Sequence, residues 1–298
     1  MNLKRSAFDR VFDVINILVM LLIVMAMLYP ILNTLVISFN DARDTIRGGI
    51  TLWPRVWSAY NYQSVLKNEH LVNAFFISVA RTVIQVIVNV VASGLLAYVL
   101  SRKEFVLRRF ITVFMVMTMY INAGLIPQFF LYRDLGLYNN FWVYILPGMV
   151  GPFNVIVIRT FINSLPVSLK EAARIDGAGE MRTFFSIIFP ICLPVLATVA
   201  LWVGVGAWNS WFDSFIFAPK QSLSTLQYEL MKVLSASFQY GASQAPEYMV
   251  PGQEMRNITT PNSIRAAMTV VATVPILLVY PFLQRYFVTG LTIGSVKE

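Results

Sequence analysis

SLKEAARIDGAGEMRTFFSIIFPICLP, residues Ser168–Pro194, is a polar and basic segment leading into a strongly apolar one. Ser168 followed by Glu171 has the spacing of a capping box, in which the hydroxyl accepts from the N3 amide and the glutamate reaches back to the cap amide. A helix is therefore expected to start at Ser168. Leu169–Ile175 are mostly good helix formers, and Gly177 falls where a left-handed residue would close the helix after about two turns. Two turns do not stand alone in water, so this helix needs a surface to lie on. Ala172 and Ala173 leave one side without bulk, and Arg174 and Asp176 add charges that a partner could read. The segment reads as a docking element; an amphipathic helix lying on a bilayer surface is the competing reading at this level.

The rest of the chain says which kind of surface is available. Of 298 residues, 57% are hydrophobic and 13% charged, with mean hydropathy +0.65. That composition belongs to a polytopic membrane protein. One cysteine, Cys192, excludes an internal disulfide, and one histidine, His70, excludes a histidine-built metal site or a histidine relay; His70 is expected in a solvated loop. The formal charge of +8 follows from the excess of Lys and Arg that topology and anionic lipid favour, so nucleic acid is not an expected partner.

Upstream of the docking segment, residues 141–159 form an apolar span that contains Pro147, Gly148, Gly151, Pro152 and Asn154. Breakers at this depth are tolerated only where neighbouring helices or water satisfy the freed backbone. Arg159 then lies at the inner end, able to snorkel. A span over 110–131 precedes it, with an irregular outer half marked by Tyr120, Asn122, Gly124 and Pro127. Between that span and the one before it, Arg102, Lys103, Arg108 and Arg109 make a short basic loop, which assigns this side to the cytoplasm. Residues 82–100 are already long enough to cross a hydrocarbon core of ~30 Å. Arg81 is accordingly expected at the outer edge, snorkelling to water. Gln85, Asn89, Ser93 and Gly94 recur at helical spacing within that span, as packing contacts rather than a pathway wall. The first span, 14–39, follows Lys4, Arg5 and Arg10 and is too long for a cleaved signal peptide. Trp53, Trp57, Tyr60 and Tyr62 mark an outer interface after it.

Downstream, residues 184–208 form a span with Pro190 and Pro194, each favouring a bend. Residues 218–261 read as a long outer loop without obvious structure, carrying Lys232, Arg256 and the sequon-like Asn257-Ile258-Thr259. The last span, 266–284, is expected to be kinked at Pro275 and Pro281 and closed by Arg285. The fold expected is all-α: six transmembrane helices in a single domain over residues 1–298, both termini cytoplasmic, with a cytoplasmic loop at 166–183.

Glu171-Ala172-Ala173, Gly177 and Ile187 with Phe189-Pro190 stand at the spacing of the EAA signature, and the chain resembles the permeases of binding-protein-dependent ABC importers. Phe189 replaces the leucine usual before the proline. PRVWSAYNY at residues 54–62, the Trp208-Asn209 patch and the tail GLTIGSVKE resemble the carbohydrate-uptake class, typified by the smaller maltose permease subunit. Ser210 stands where that class often has an acidic residue. The resemblance implies the type I importer permease fold and a bacterial cell-membrane protein working as a heterodimer. Its partners would be a second permease subunit, two cytoplasmic ATPase subunits and an extracytoplasmic solute-binding protein, with a sugar or oligosaccharide as cargo. It also implies that Ser168, Glu171, Ala172, Ala173, Arg174, Asp176 and Gly177 couple to the ATPase, and that the outer loop reaches the binding protein. No cofactor is expected on this chain; ATP and Mg²⁺ belong to the ATPases, since the sequence has no G-x-x-x-x-G-K-[ST]. Candidate pathway residues are Asn122, Asn154, Trp208 and Asn209, polar and aromatic groups suited to hydrogen bonding and stacking on a sugar.

An ion-coupled secondary transporter is the alternative, but such proteins usually carry Asp, Glu or His deep in their spans, and none is read there. A membrane enzyme lacks support: no G-x-S-x-G, no H-E-x-x-H and no pair of buried carboxylates is apparent, so no catalytic residue is assigned.

Overall fold

The computed structural model describes residues 7–241 and 260–293. Lys4, Arg5, Arg256, the Asn257-Ile258-Thr259 sequon and the tail after Ile293 lie outside the described residues. Among these the chain is helical, with one isolated antiparallel bridge, Asn40 to Trp57. It divides into two compact units, Met1–Glu69 with Lys232–Thr273 and His70–Met231 with Val274–Glu298.

The first unit begins with α1 (Ala7–Ser38), an uninterrupted apolar helix whose most apolar window is 0% buried by the protein, so that lipid or another chain must cover it. Two short helices follow, α2 (Ala42–Ile46) and α3 (Tyr60–Lys67). They are held by Asn40, which is fully buried. Its amide donates to Asp44 Oδ2 at 3.1 Å and Thr45 Oγ1 at 3.0 Å, and its oxygen accepts from the Arg55 and Val56 amides at 2.9 and 3.1 Å. Every polar atom of that side chain is engaged, which is the condition for burying an amide. Arg55 closes the loop onto Asp44 at 2.8 Å.

The second unit is built on α4 (Glu69–Ser101), more than three turns longer at its start than the expected span. Then come α5 (Arg108–Tyr120) and α6 (Leu125–Asp134), bent by 120° across the turn at Ile121–Gly124. The expected single span over 110–131 is thus two helices. Gly124, at φ +85°, supplies a left-handed turn that a β-carbon would oppose, and α5 alone, about 20 Å long, is too short for a core of ~30 Å. Residues Phe141–Gly148 form 3₁₀ turns that meet α7 (Pro152–Ser164) at 45°. α8 (Val167–Ile175) and α9 (Glu180–Thr183) lead through a π-turn at Phe184–Ile188 into α10 (Phe189–Ile191) and α11 (Leu193–Asn209). The bend there is 81°. Pro190 and Pro194 sit in the first turns of α10 and α11, where the missing N–H has no partner to lose. Side chains from α4, α5, α7 and α11 form the main core, with Phe184 and Ile188 between them.

α12 (Phe212–Phe217) follows, and α13 (Leu226–Gly241) occupies part of the stretch 218–261 that was expected to be an irregular outer loop. The last helix, α14 (Pro261–Ile293), runs through Pro275 and Pro281 without interruption. Among the described residues, three helices are long and apolar enough to cross a membrane, and up to six spans result if each bent pair counts as one.

Candidate functional site

α8 starts one residue earlier than expected. Pro166 is its N-cap, with backbone angles fixed near −56° and 134° and no side-chain cap bond, so Ser168 lies inside the first turn and the capping box with Glu171 does not form. A proline before a valine pre-sets the turn and displaces the serine from the cap. The other end closes as the sequence predicts. Gly177 has φ +70°, its amide donates to Arg174 O at 3.1 Å, and the Ala178 amide donates to Ala173 O at 2.9 Å. These are the paired bonds of a Schellman motif, which satisfy the last carbonyls of the helix.

The helix has two unlike faces. Ala173 is 3% exposed and packs into its own chain, whereas Glu171, Ala172, Arg174 and Ile175 face outward, with Ile175 85% exposed. The two alanines, expected to form one smooth side, are therefore divided: Ala173 lets the helix lie close to the body, and Ala172 is left for a partner. Asp176 and Gly177 are exposed as well. Beside the helix is a cavity of about 450 Å³ lined by Glu171 and Arg174 together with Arg102, Arg108 and Arg159.

The C-terminal side of this loop is tied to α4. Glu180 pairs with Arg102 and accepts from the Tyr98 hydroxyl at 2.6 Å, while Arg102 donates to the same hydroxyl at 2.7 Å and lies 4.9 Å from the Tyr98 ring centre. Tyr98 in turn packs on Phe184. Glu180, Tyr98 and Phe184 thus form a chain of contacts from the start of α9 to the main core. The spacing of the signature pointed to α8, but nothing in it marked Tyr98 or Arg102 as its anchor.

Of the expected pathway residues, Asn154 is joined to the polar stripe on α4. Its amide donates to Asn89 Oδ1 at 2.9 Å, the Asn89 amide donates to Gly148 O at 2.8 Å, and Ser93 Oγ accepts from the Gly151 amide at 3.3 Å. The stripe thus satisfies backbone freed where the 3₁₀ segment breaks. Asn122 is exposed in the α5–α6 turn, accepting from the Gly124 amide at 2.9 Å. Asn209 is exposed at the end of α11 and donates to Val205 O at 2.9 Å, while Trp208 is buried edge-on to Phe75. These residues are engaged locally, Asn154 with α4, Asn122 in its own turn, Asn209 in its own helix and Trp208 against Phe75.

Arg81 does not snorkel. It is 2% exposed, pairs with Asp213, donates to Ser210 O at 3.2 Å, and lies 4.6 Å from the Tyr144 ring centre. Its charge is met by the protein because α12 carries Asp213 back against α4. Ser210 adds a 2.9 Å bond to the same carboxylate.

Residues 89–293 match the family described as the binding-protein-dependent transport system inner membrane component. The chain belongs to this family. The permease is 31% identical over 291 residues to the polygalacturonan/rhamnogalacturonan transport system permease protein YtcP of Bacillus subtilis (strain 168), covering 97% of this chain and 99% of that protein. It is 30% identical over 274 residues to the arabinooligosaccharides transport system permease protein AraQ of Halalkalibacterium halodurans, covering 90% and 91%. Its fold matches a chain of a solved bacterial ABC transporter involved in the import of the acidic polysaccharide alginate, at TM-score 0.85 and 28% identity, over 96% of this chain and 100% of that one. The architecture is accordingly that of a type I importer permease.

Proposed function

We propose that this permease is one of two membrane subunits of an ATP-driven importer for sugars or oligosaccharides, and that α8 is its contact with an ATPase subunit. The observation that carries the reading is the combination at α8: an outward face made by Glu171, Ala172 and Ile175 on a helix whose ends are fixed by Pro166 and by the Schellman closure at Gly177. A short exposed helix with an 85% exposed isoleucine is unfinished as a surface and suits a protein groove. ATP and Mg²⁺ are bound and used by the two cytoplasmic ATPase subunits, and this chain supplies half of the pathway.

In the same reading a second permease completes the pathway, an extracytoplasmic solute-binding protein delivers cargo, and both termini face the cytoplasm. Asn122, Asn154, Trp208 and Asn209 are the residues offered to the sugar. The named relatives support an oligosaccharide as cargo.

The test is co-expression with the second permease, the ATPase and the binding protein, purification of the complex, and uptake into proteoliposomes with a panel of neutral and uronate-bearing oligosaccharides. ATP-dependent uptake that requires the binding protein supports the proposal. Uptake driven by an ion gradient without ATP would instead establish a secondary transporter.

A further inference from the structure

At the end of the spans that carries α8, three guanidinium groups line a cavity that no carboxylate lines, Glu104 and Glu171 bordering only the adjoining cavity that two of them share. Arg108, Arg109 and Arg159, with Thr112 and Val113, line a cavity of about 330 Å³. Arg159 donates one N–H to Thr112 Oγ1 at 2.8 Å, and that hydroxyl donates to Arg108 O at 2.6 Å, which fixes the guanidinium across the gap between α7 and α5. Its Nε is buried and has no partner within the protein. A buried donor left unmade is costly, and a cluster of like charges adds to that cost. An anion in the cavity offsets the repulsion among the three guanidinium groups.

The neighbouring surface decides which anion. Phe110, Val113 and Phe114 continue along α5 from the arginines, exposed to 69%, 47% and 59%, with the two phenylalanine rings stacked at 6.4 Å. A cationic cleft at the head of an apolar track matches a phospholipid, phosphate in the cleft and acyl chains along the helix; a free phosphate would use only the first half.

We propose that Arg108, Arg109 and Arg159 hold the headgroup of an anionic phospholipid at the α5–α7 junction. Because the adjoining cavity shares Arg108 and Arg159 with Glu171 and Arg174 beside α8, the bound lipid braces the ground on which the docking helix stands.

The probes are dioleoylphosphatidylglycerol, dioleoylphosphatidylcholine and inorganic phosphate, added to the delipidated full-length chain in detergent, with thermal unfolding and native mass spectrometry as readouts. The glycerol lipid is expected to raise the melting temperature and to be retained, while the choline lipid and phosphate do neither. Arg109→Gln, an exposed position expected to leave folding unaffected, and Arg159→Gln are each expected to weaken retention about fivefold. Equal stabilisation of wild type and both variants by the glycerol lipid overturns the proposal. So does an equal effect of phosphate alone, which would make the cleft a free-anion site. A variant that unfolds in choline lipid is set aside and Arg109→Gln alone decides.

Discussion

Two arginine–carboxylate pairs flank the same helix and are built alike. Arg81 pairs with Asp213 and stacks on Tyr144; Arg102 pairs with Glu180 and stacks on Tyr98. They stand about 31 Å apart at 1.5 Å per residue, close to the thickness of the hydrocarbon core. The difference is burial. Side-chain exposure is 3% and 38% for Arg81 and Asp213, against 23% and 69% for Arg102 and Glu180. Arg81 is enclosed and its pairing with the partly exposed Asp213 holds α12 on α4, so breaking it leaves a charge that water only partly solvates. The second is open to water and joins the start of α9 to α4 by contacts that can be made and unmade at little cost. One end of the helix is a fixed joint, and the other is suited to move.

The largest effect is expected at the fixed joint. Arg81→Ala leaves Asp213 unpaired and removes the cover on Tyr144. The loss should reach about 2 kcal/mol or more, reduced from the ~3–5 kcal/mol of a fully enclosed pair because Asp213 is partly exposed. The purified chain should melt earlier and accumulate poorly, while the double change Arg81→Met with Asp213→Leu should recover most of the melting temperature. Lack of recovery would mean that Arg81 matters through something other than this pair.

Next in size is Gly177→Ala. No atom lies within 4 Å of where the added β-carbon would stand, so the cost is the backbone conformation alone, about 1 kcal/mol. Because the strain falls on the Schellman closure, transport should drop several-fold with the melting temperature little changed. Equal loss of both would place Gly177 in the fold rather than in coupling.

Glu180→Gln at the open joint should cost less than ~1 kcal/mol, as for exposed ion pairs. ATP hydrolysis and uptake should nevertheless separate, with more ATP used per sugar moved. If the variant melts as early as Arg81→Ala, the two ends are not different in kind and the comparison fails.

The smallest effect is set by pH in the α1–α3 loop. Burial works to raise the Asp44 carboxyl, but bonds from Arg55 and Asn40 outweigh it and hold it below the ordinary value of 3.8. A depressed carboxyl stabilises the folded loop above that ordinary value and loses this as pH falls through the depressed one. The emission of Trp53 and Trp57 should therefore shift only below about pH 4, and Asp44→Asn should abolish the shift.

Much of the helical order was legible because span length and breakers are local properties. The Gly177 closure, the polar stripe at Asn89 and Ser93, and the break around Gly148–Pro152 could all be read from residue type and spacing. What escaped reading was tertiary. Arg81 looked like a snorkelling residue because residues 82–100 alone are long enough to cross the core; its partner is 132 residues on. Ser168 looked like a cap because the box motif ignores Pro166 two residues earlier. The 120° turn at Gly124 was visible as irregularity, but its angle depends on what α5 and α6 pack against. Ala172 and Ala173 could not be told apart until the body of the protein was placed beneath one of them.

Ile175 allows a direct test of whether α8 meets an ATPase. The sole cysteine, Cys192, is buried, so Ile175→Cys introduces one accessible thiol at an 85% exposed position on the outward face. A short-arm photoactivatable maleimide on that thiol, applied to the whole importer in membranes, should trap the ATPase subunit, with Val106→Cys as the matched exposed control that does not. A thiol at position 175 that labels freely yet crosslinks only to lipid, in a complex that still transports, would contradict the docking of this helix on the ATPase.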